Sequence, residues 1–291
     1  MSHKSGFVNI LGNPNAGKST LMNALVGEKL SIITAKAQTT RHRILGIVSG
    51  EDFQIVYSDT PGLLKPSYKL QERMMQFADA AIQDADIILY VCEVGETKIL
   101  DEYAEKIKRS GIPVIVAINK IDLADPDLVA EKVDFWRQKF PDAEIVPVSA
   151  LEKVNLDYLI KRATDLLPES PPYFSKDELT DKSMRFFVSE IIREKIFLFY
   201  QREIPYSVEI VVDSYKEEEK LIRISAVIYV ERDTQKGIII GHQGKGLKKV
   251  GTEARKDIEA FVGKKTFLET FVKVRKNWRE NPKDLRTFGY E

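Results

Sequence analysis

The chain has 291 residues, 43% hydrophobic and 30% charged, enough for about two domains at ~150 residues each and too apolar for a disordered chain. A lone cysteine, Cys92, excludes an internal disulfide; no apolar run reaches the ~18 residues that span a bilayer, and the start MSHKSGFVNIL lacks a signal-peptide pattern, so a reducing, cytoplasmic setting is expected. Basic and acidic residues cancel at 44 each, yet residues 181–291 hold 23 Lys+Arg against 18 Asp+Glu and residues 236–279 hold 12 against 4, a bias that points to a polyanionic partner.

In chain order, FVNIL (7–11) reads as a buried strand and GKSTLMNALVG as a helix ending at Gly27. RILGIVS (43–49) and FQIVYSD (53–59) read as strands joined by GED. Helices over about 68–84, 99–109, 127–140 and 155–167 then alternate with the apolar runs DIILYVC, IPVIVAINK and EIVPVS. Short continuous apolar runs between helical patterns predict an α/β domain with a mostly parallel sheet. LLPESPPYF breaks the rhythm, because its prolines stop a helix and stiffen the chain. The expected division is residues 1–171, a linker at 172–182 and a second domain over 183–291. The second domain reads as a helix (183–200), the strands PYSVEIVVD and KLIRISAVIYVERD joined by the turn SYKEEE, a short helix ending near Gly241, a helix (247–261) and a strand (266–274).

The stretch GNPNAGKST follows a strand, opens a helix and fits G-x-x-x-x-G-K-S/T. Gly12, Asn13, Pro14, Asn15, Ala16 and Gly17 would turn backbone N–H groups around phosphate oxygens, at a helix N-terminus that favours negative charge. Lys18 would reach the β- and γ-phosphates, and Ser19 would offer its hydroxyl to Mg²⁺, with Thr20 completing the run. The base is chosen by NKID, Asn119 to Asp122. The Asp122 carboxylate can accept from N1–H and the 2-amino group of guanine, which adenine lacks, while Asn119 braces the loop and the Lys120 stem covers the ring. DTPG places Asp59 to hold Mg²⁺ and the Gly62 N–H to meet the γ-phosphate. Ser149 and Ala150 follow the last strand, where the Ala150 N–H could meet guanine O6. In the polar stretch TAKAQTTRHRI, either Thr39 or Thr40 would close on Mg²⁺ when GTP is bound; Thr40 is preferred.

A second glycine run, GHQGKGLKK, lacks the Lys-Ser/Thr ending and is not a second phosphate loop. It holds G-x-x-G, Gly241 to Gly244, between two helices in the order helix-strand-strand-helix-helix-strand, the arrangement of a type II KH domain. There Gly241, His242, Gln243 and Gly244 would lie against a single-stranded nucleic acid, with Lys245, Lys248 and Lys249 on phosphates and Ile238–Ile240 as the floor under the bases. Lys276, Trp278 and Arg279 could add phosphate contacts and stacking, although Trp278 could equally pack within its own domain.

A GTP-binding switch domain followed by a KH domain resembles the Era family of GTPases. The resemblance covers essentially the whole chain, including KAQTTRHRI, SEIIREKI, IPYSVEI, GTEARKDIE and the tail VKVRKNW and DLRTFGYE. It implies slow, Mg²⁺-dependent hydrolysis of GTP to GDP, with Lys18, Thr40 and Gly62 in catalytic roles. It further implies a monomer that binds 16S rRNA near its 3′ end during 30S subunit assembly, with peripheral association at the inner membrane. Related GTPases use the residue matching Asn15 to help bind K⁺. One departure from many switch GTPases stands out: the position of a water-orienting Gln is Leu63, whose apolar side chain cannot align water. The rival reading is a GTPase that signals at the membrane or in the cell cycle through protein partners.

Overall fold

The computed structural model describes residues 3–290. It divides into two units, one of residues up to 66 with 71–181, the other of 182 onward with 67–70. In the first unit β1 (Lys4–Leu11), β2 (Ile44–Ser49), β3 (Phe53–Asp59), β4 (Ile87–Glu93), β5 (Val114–Asn119) and β6 (Glu144–Pro147) form a sheet in the order β2-β3-β1-β4-β5-β6. Only β2 runs antiparallel to its neighbour. The helices are α1 (Lys18–Val26), α2 (Lys69–Gln83), α3 (Asp101–Ser110), α4 (Pro126–Lys139) and α5 (Leu156–Leu166). β4 is buried along nearly its whole length, as a parallel strand covered on both faces must be. Parallel direction carries β1, β3, β4 and β5 to their C-terminal ends at one edge, which is where GNPNAGKST, DTPG and NKID begin.

Residues 173–181, read from the prolines as linker, are hydrogen-bonded into this unit. The buried Gln54 amide accepts from the Tyr173 and Phe174 N–H groups (2.8 and 2.9 Å) and donates to the Phe174 carbonyl (2.9 Å). The Ile47 N–H donates to the Leu179 carbonyl at 2.9 Å and the Leu45 N–H to Asp181 at 3.2 Å. These bonds cover the outer edge of β2, whose N–H groups would otherwise offer a template for pairing.

The second unit contains α6 (Met184–Phe199), α7 (Ile204–Ser207), β7 (Glu209–Glu217), β8 (Ile222–Val230), α8 (Asp233–Ile240), α9 (Lys245–Val262), β9 (Thr266–Val274) and α10 (Pro282–Thr287). The sheet order is β7-β8-β9, with β7 antiparallel and β9 parallel to β8. Alternate residues of the sheet, among them Ile210, Ile224 and Val272, meet Ile192, Ile196, Ala254 and Ile258 of α6 and α9 in one core. The expected element order is present, with differences. The segment SYKEEE is not all turn, since Ser214 to Glu217 pair with β8. The short helices α7 and α10 replace stretches read as strand or tail. No helix among the described residues is long and apolar enough to cross a membrane.

Candidate nucleotide and nucleic-acid sites

The phosphate loop is a tight wrap that glycine makes possible. Gly12 has φ +148 and a Cβ there would lie 2.0 Å from the Val91 carbonyl oxygen; Gly17 has φ +89 and a Cβ would lie 2.3 Å from the Asn119 amide. Both positions combine a left-handed backbone with a closed approach, so any side chain would displace the loop. The loop borders a cleft of about 520 Å³ whose other wall is the segment from Ile32 to Thr40, with Gly62 and Lys120 also lining it. Lys18 is buried, and its Nζ donates to the Gly12 and Asn13 carbonyls at 3.1 and 2.8 Å. Burial lowers its pKa to about 8. A polyphosphate would supply the counter-charge that this desolvated ammonium lacks.

Beside Lys18 three oxygens converge. Ser19 Oγ donates to Asp59 Oδ2 at 2.7 Å and lies 2.9 Å from Thr40 Oγ1, which is 3.3 Å from the same carboxylate oxygen. Ser31 Oγ donates to it as well, at 2.9 Å. Asp59 Oδ1 is buried with no hydrogen-bond partner. Burial raises the Asp59 pKa, with the three hydroxyls and Lys18 opposing. A hard divalent cation would offset the burial of this carboxylate, since Mg²⁺ prefers hydroxyl and carboxylate oxygens. Ser19, Thr40 and Asp59 therefore fit the ion. Thr39 does not join them: its hydroxyl lies 2.6 Å from Thr34 Oγ1 and donates to the Lys36 carbonyl.

Asn119 explains why the base loops sit where they do. Its Nδ2 donates to the Ala16 carbonyl at 3.0 Å and its Oδ1 accepts from the Ala150 N–H at 3.0 Å. One buried amide thus fastens NKID to the phosphate loop and to the Ser149 loop. The Ala150 N–H, expected near guanine O6, here donates to Asn119 Oδ1. Asp122 stands exposed, its Oδ1 accepting from Ser149 Oγ at 2.5 Å, which orients the carboxylate. Lys120 is held by Glu93 at 2.7 Å. On the phosphate side Asn15 is exposed with φ +66, whereas Asn13 reaches away to Glu96 and to the Lys98 carbonyl. Gly62 packs so closely on Pro14 that a Cβ would come within 2.8 Å of its backbone. The Leu63 side chain is buried at 2% exposure, so it cannot touch water at the phosphates.

In the second unit the Gly241–Gly244 loop joins α8 to α9. Gly241 and Gly244 have φ +70 and +76, and Gln243 between them is also left-handed at +51. His242, Gln243, Lys245, Lys248 and Lys249 are exposed around this loop, a positive rim suited to a phosphate chain. Lys249 Nζ lies 4.3 Å from the centre of the Phe199 ring. A groove of about 370 Å³ runs from Gly244 along α9 and β9, lined by Leu247, Gly251, Thr252, Arg255, Leu268 and Thr270. The expected floor is altered: Ile239 is fully buried in the core while Ile238 is exposed, and the groove is lined by Leu247 and Leu268. Nothing local marks Leu268 and Thr270, which reach the loop only through the pairing of β9 with β8.

The expectation for Trp278 is also corrected. Its side chain is fully buried, the indole N–H donates to the Ser207 carbonyl at 3.0 Å, and Phe288 meets it edge-on at 5.4 Å between ring centres. It is an anchor for the C-terminal tail, with no ring face to offer a base. Arg279 donates to Glu231 at 2.9 Å, and Lys276 is exposed. Tyr290 closes the tail by donating to the buried Glu209 at 2.6 Å.

Comparison with known proteins agrees with this two-site geometry. Residues 7–120 match the family described as 50S ribosome-binding GTPase, and residues 203–279 match the KH domain family. A crystal structure of Era in complex with MgGDPNP and nucleotides 1506–1542 of 16S ribosomal RNA is 39% identical, with TM-score 0.95 and 99% of each chain covered. A point variant of Aquifex aeolicus Era bound to GDP and AlF4⁻ is 40% identical, with TM-score 0.94 and the same coverage. At that identity over the full length of both chains, this protein belongs to the Era family of GTPases.

Proposed function

We propose that this protein is a GTP-hydrolysing switch that binds RNA through its KH domain, with the 3′ region of 16S rRNA as its target, and that it acts in 30S subunit assembly in the cytoplasm. The observation that carries the enzymatic half is the convergence of the Ser19 and Thr40 hydroxyls on Oδ2 of the buried Asp59 carboxylate, whose Oδ1 has no hydrogen-bond partner, beside the charge of the buried Lys18. Mg²⁺ held there would neutralise charge developing on the phosphates. Lys18 binds the same charge from the other side, the Gly62 backbone offers its N–H to the γ-phosphate, and Asp122 selects guanine. Because Leu63 is buried, the attacking water is positioned by backbone or by a bound ion. The exposed Asn15 at the rim of the phosphate loop suits K⁺ in that role. Turnover measured in KCl should exceed turnover in NaCl at equal ionic strength, and equal rates would remove K⁺ from the scheme.

Thr40→Ala should lower the hydrolysis rate about 10- to 100-fold by removing a metal-side oxygen whose placement matters in the transition state. Thr39→Ala should stay near wild type, because its hydroxyl bonds to Thr34 and the Lys36 carbonyl rather than to Asp59. Steady-state assays of the two variants decide between the residues. The RNA half rests on the G-x-x-G rim and the groove beside it, and on the family's two-domain composition. Its test is equilibrium binding, in moderate salt, of a 16S 3′-terminal RNA against a scrambled strand of equal composition. Preference for the native strand supports the reading; equal affinity for both removes the target.

A further inference from the structure

The segment that walls the phosphate cleft ends at Thr40, and just beyond it, after the buried Arg41, the Arg43 side chain gathers several partners. Arg43 Nε donates to Ser58 Oγ at 2.6 Å. Its two terminal nitrogens grip the Asp84 carboxylate at 2.5 and 2.9 Å, and one of them also reaches Asn9 Oδ1 at 3.2 Å. Asn9 in turn donates to the Ala81 carbonyl at 2.6 Å and to Asp84 at 2.7 Å. A single guanidinium therefore joins four places. They are the exit of the 32–40 segment, the residue before Asp59 on β3, the strand that leads into the phosphate loop, and the end of α2. Next to it, His42 packs on Phe77 of α2 with ring centres 6.1 Å apart. The Arg43 side chain is only 18% exposed. Asp84 is half exposed, but a bidentate guanidinium–carboxylate pair whose guanidinium is shielded and holds two further acceptors fixes geometry in a way that a loose surface pair does not.

We propose that Arg43 is a positioning residue for GTP hydrolysis. It fixes the base on which the 32–40 segment turns, so that Thr40 meets Ser19 and Asp59, and it locks that segment to α2, the helix that follows Gly62. The inference rests on the proposed GTPase reading and on the role given there to Thr40. Segments of this kind are ordered by the γ-phosphate and its metal and released on hydrolysis. A defect in their base should therefore separate the GTP state from the GDP state.

The test compares Arg43→Gln, Arg43→Lys and wild type in steady-state hydrolysis, in affinity for GDP and for a non-hydrolysable GTP analogue, and in thermal unfolding. For Arg43→Gln the expected result is a kcat about tenfold lower or more, weaker analogue binding and unchanged GDP affinity. Arg43→Lys should recover part of the loss, since one ammonium can hold Asp84 but cannot also span Ser58 and Asn9. Wild-type kcat in Arg43→Gln overturns the proposal. So does a parallel fall in GDP affinity, analogue affinity and melting temperature, which marks a purely structural role. If Arg43→Gln does not fold, Asp84→Asn keeps the shape and weakens the grip; it should show the same split in smaller measure, and its absence overturns the proposal equally. A wild-type protein that does not hydrolyse GTP would instead defeat the functional reading, and this inference with it.

Discussion

Asp122→Asn should lose GTP and gain a xanthine nucleotide. The carboxylate accepts from two guanine donors, and each charge-assisted bond contributes about 1.5–3 kcal/mol. Exchanging the carboxylate for an amide removes the charge and points an N–H at an N–H. GTP affinity should fall about 10²- to 10⁴-fold, at 1.4 kcal/mol per decade. Xanthine carries a carbonyl where guanine carries its 2-amino group, so the new amide donor finds an acceptor. The Ser149 hydroxyl, now 2.5 Å from Asp122 Oδ1, can still donate to the amide oxygen and hold the side chain in place. Asn119, which joins the phosphate loop to the Ser149 loop, is untouched, so the protein should fold normally. Competition titrations with GTP and xanthosine triphosphate measure the switch; an unchanged preference for GTP would place the base elsewhere.

Replacing His242 and Gln243 together with Asp should abolish RNA binding and leave RNA-free GTP hydrolysis intact. Both residues are exposed at the tip of the G-x-x-G loop, where Gly241 and Gly244 adopt left-handed backbone and bring the main chain forward. Two carboxylates set against a phosphate chain add repulsion of about 1–4 kcal/mol each at contact distance. The loss should be at least about 30-fold at 1.4 kcal/mol per decade and should shrink as salt rises. The change lies on the surface of the second unit, away from its core, so stability should hold. RNA affinity equal to wild type would disprove the clamp.

These two sites differ in how far the amino-acid sequence exposes them. GNPNAGKST and NKID are local: the glycines, the lysine and the carboxylate act within a few residues of one another, and the strand–loop–helix context can be read around them. What binds the motifs together is not local. Asn119 reaches Ala16 across 103 positions and Ala150 across 31, and the second of these contacts uses the N–H expected to face the base. The contact of Thr40 with Ser19 and Asp59 is likewise not local, because adjacent threonines look alike until the chain folds.

The KH domain was legible in its element order and its glycine loop, but the groove beside the loop is made by tertiary pairing. Leu268 and Thr270 come from an edge strand that lies beyond the whole of α9, and Ile239, the middle one of the three isoleucines before the loop, is buried in the core. Trp278 shows the same limit: a tryptophan in a basic tail reads as a stacking surface until Ser207 and Phe288 enclose it. The proline-rich segment reads as a stiffened linker because prolines interrupt the helical pattern. The Gln54 amide and the edge of β2 that hold it lie more than 100 residues earlier in the chain.

The central claim is that one chain couples a GTP-hydrolysing site to an RNA-binding site. Single-turnover hydrolysis of GTP, with and without saturating 16S 3′-terminal RNA, tests it most directly. A faster rate with that RNA, lost in the protein with Asp at positions 242 and 243, is the predicted result; an identical rate with RNA demonstrably bound would contradict it.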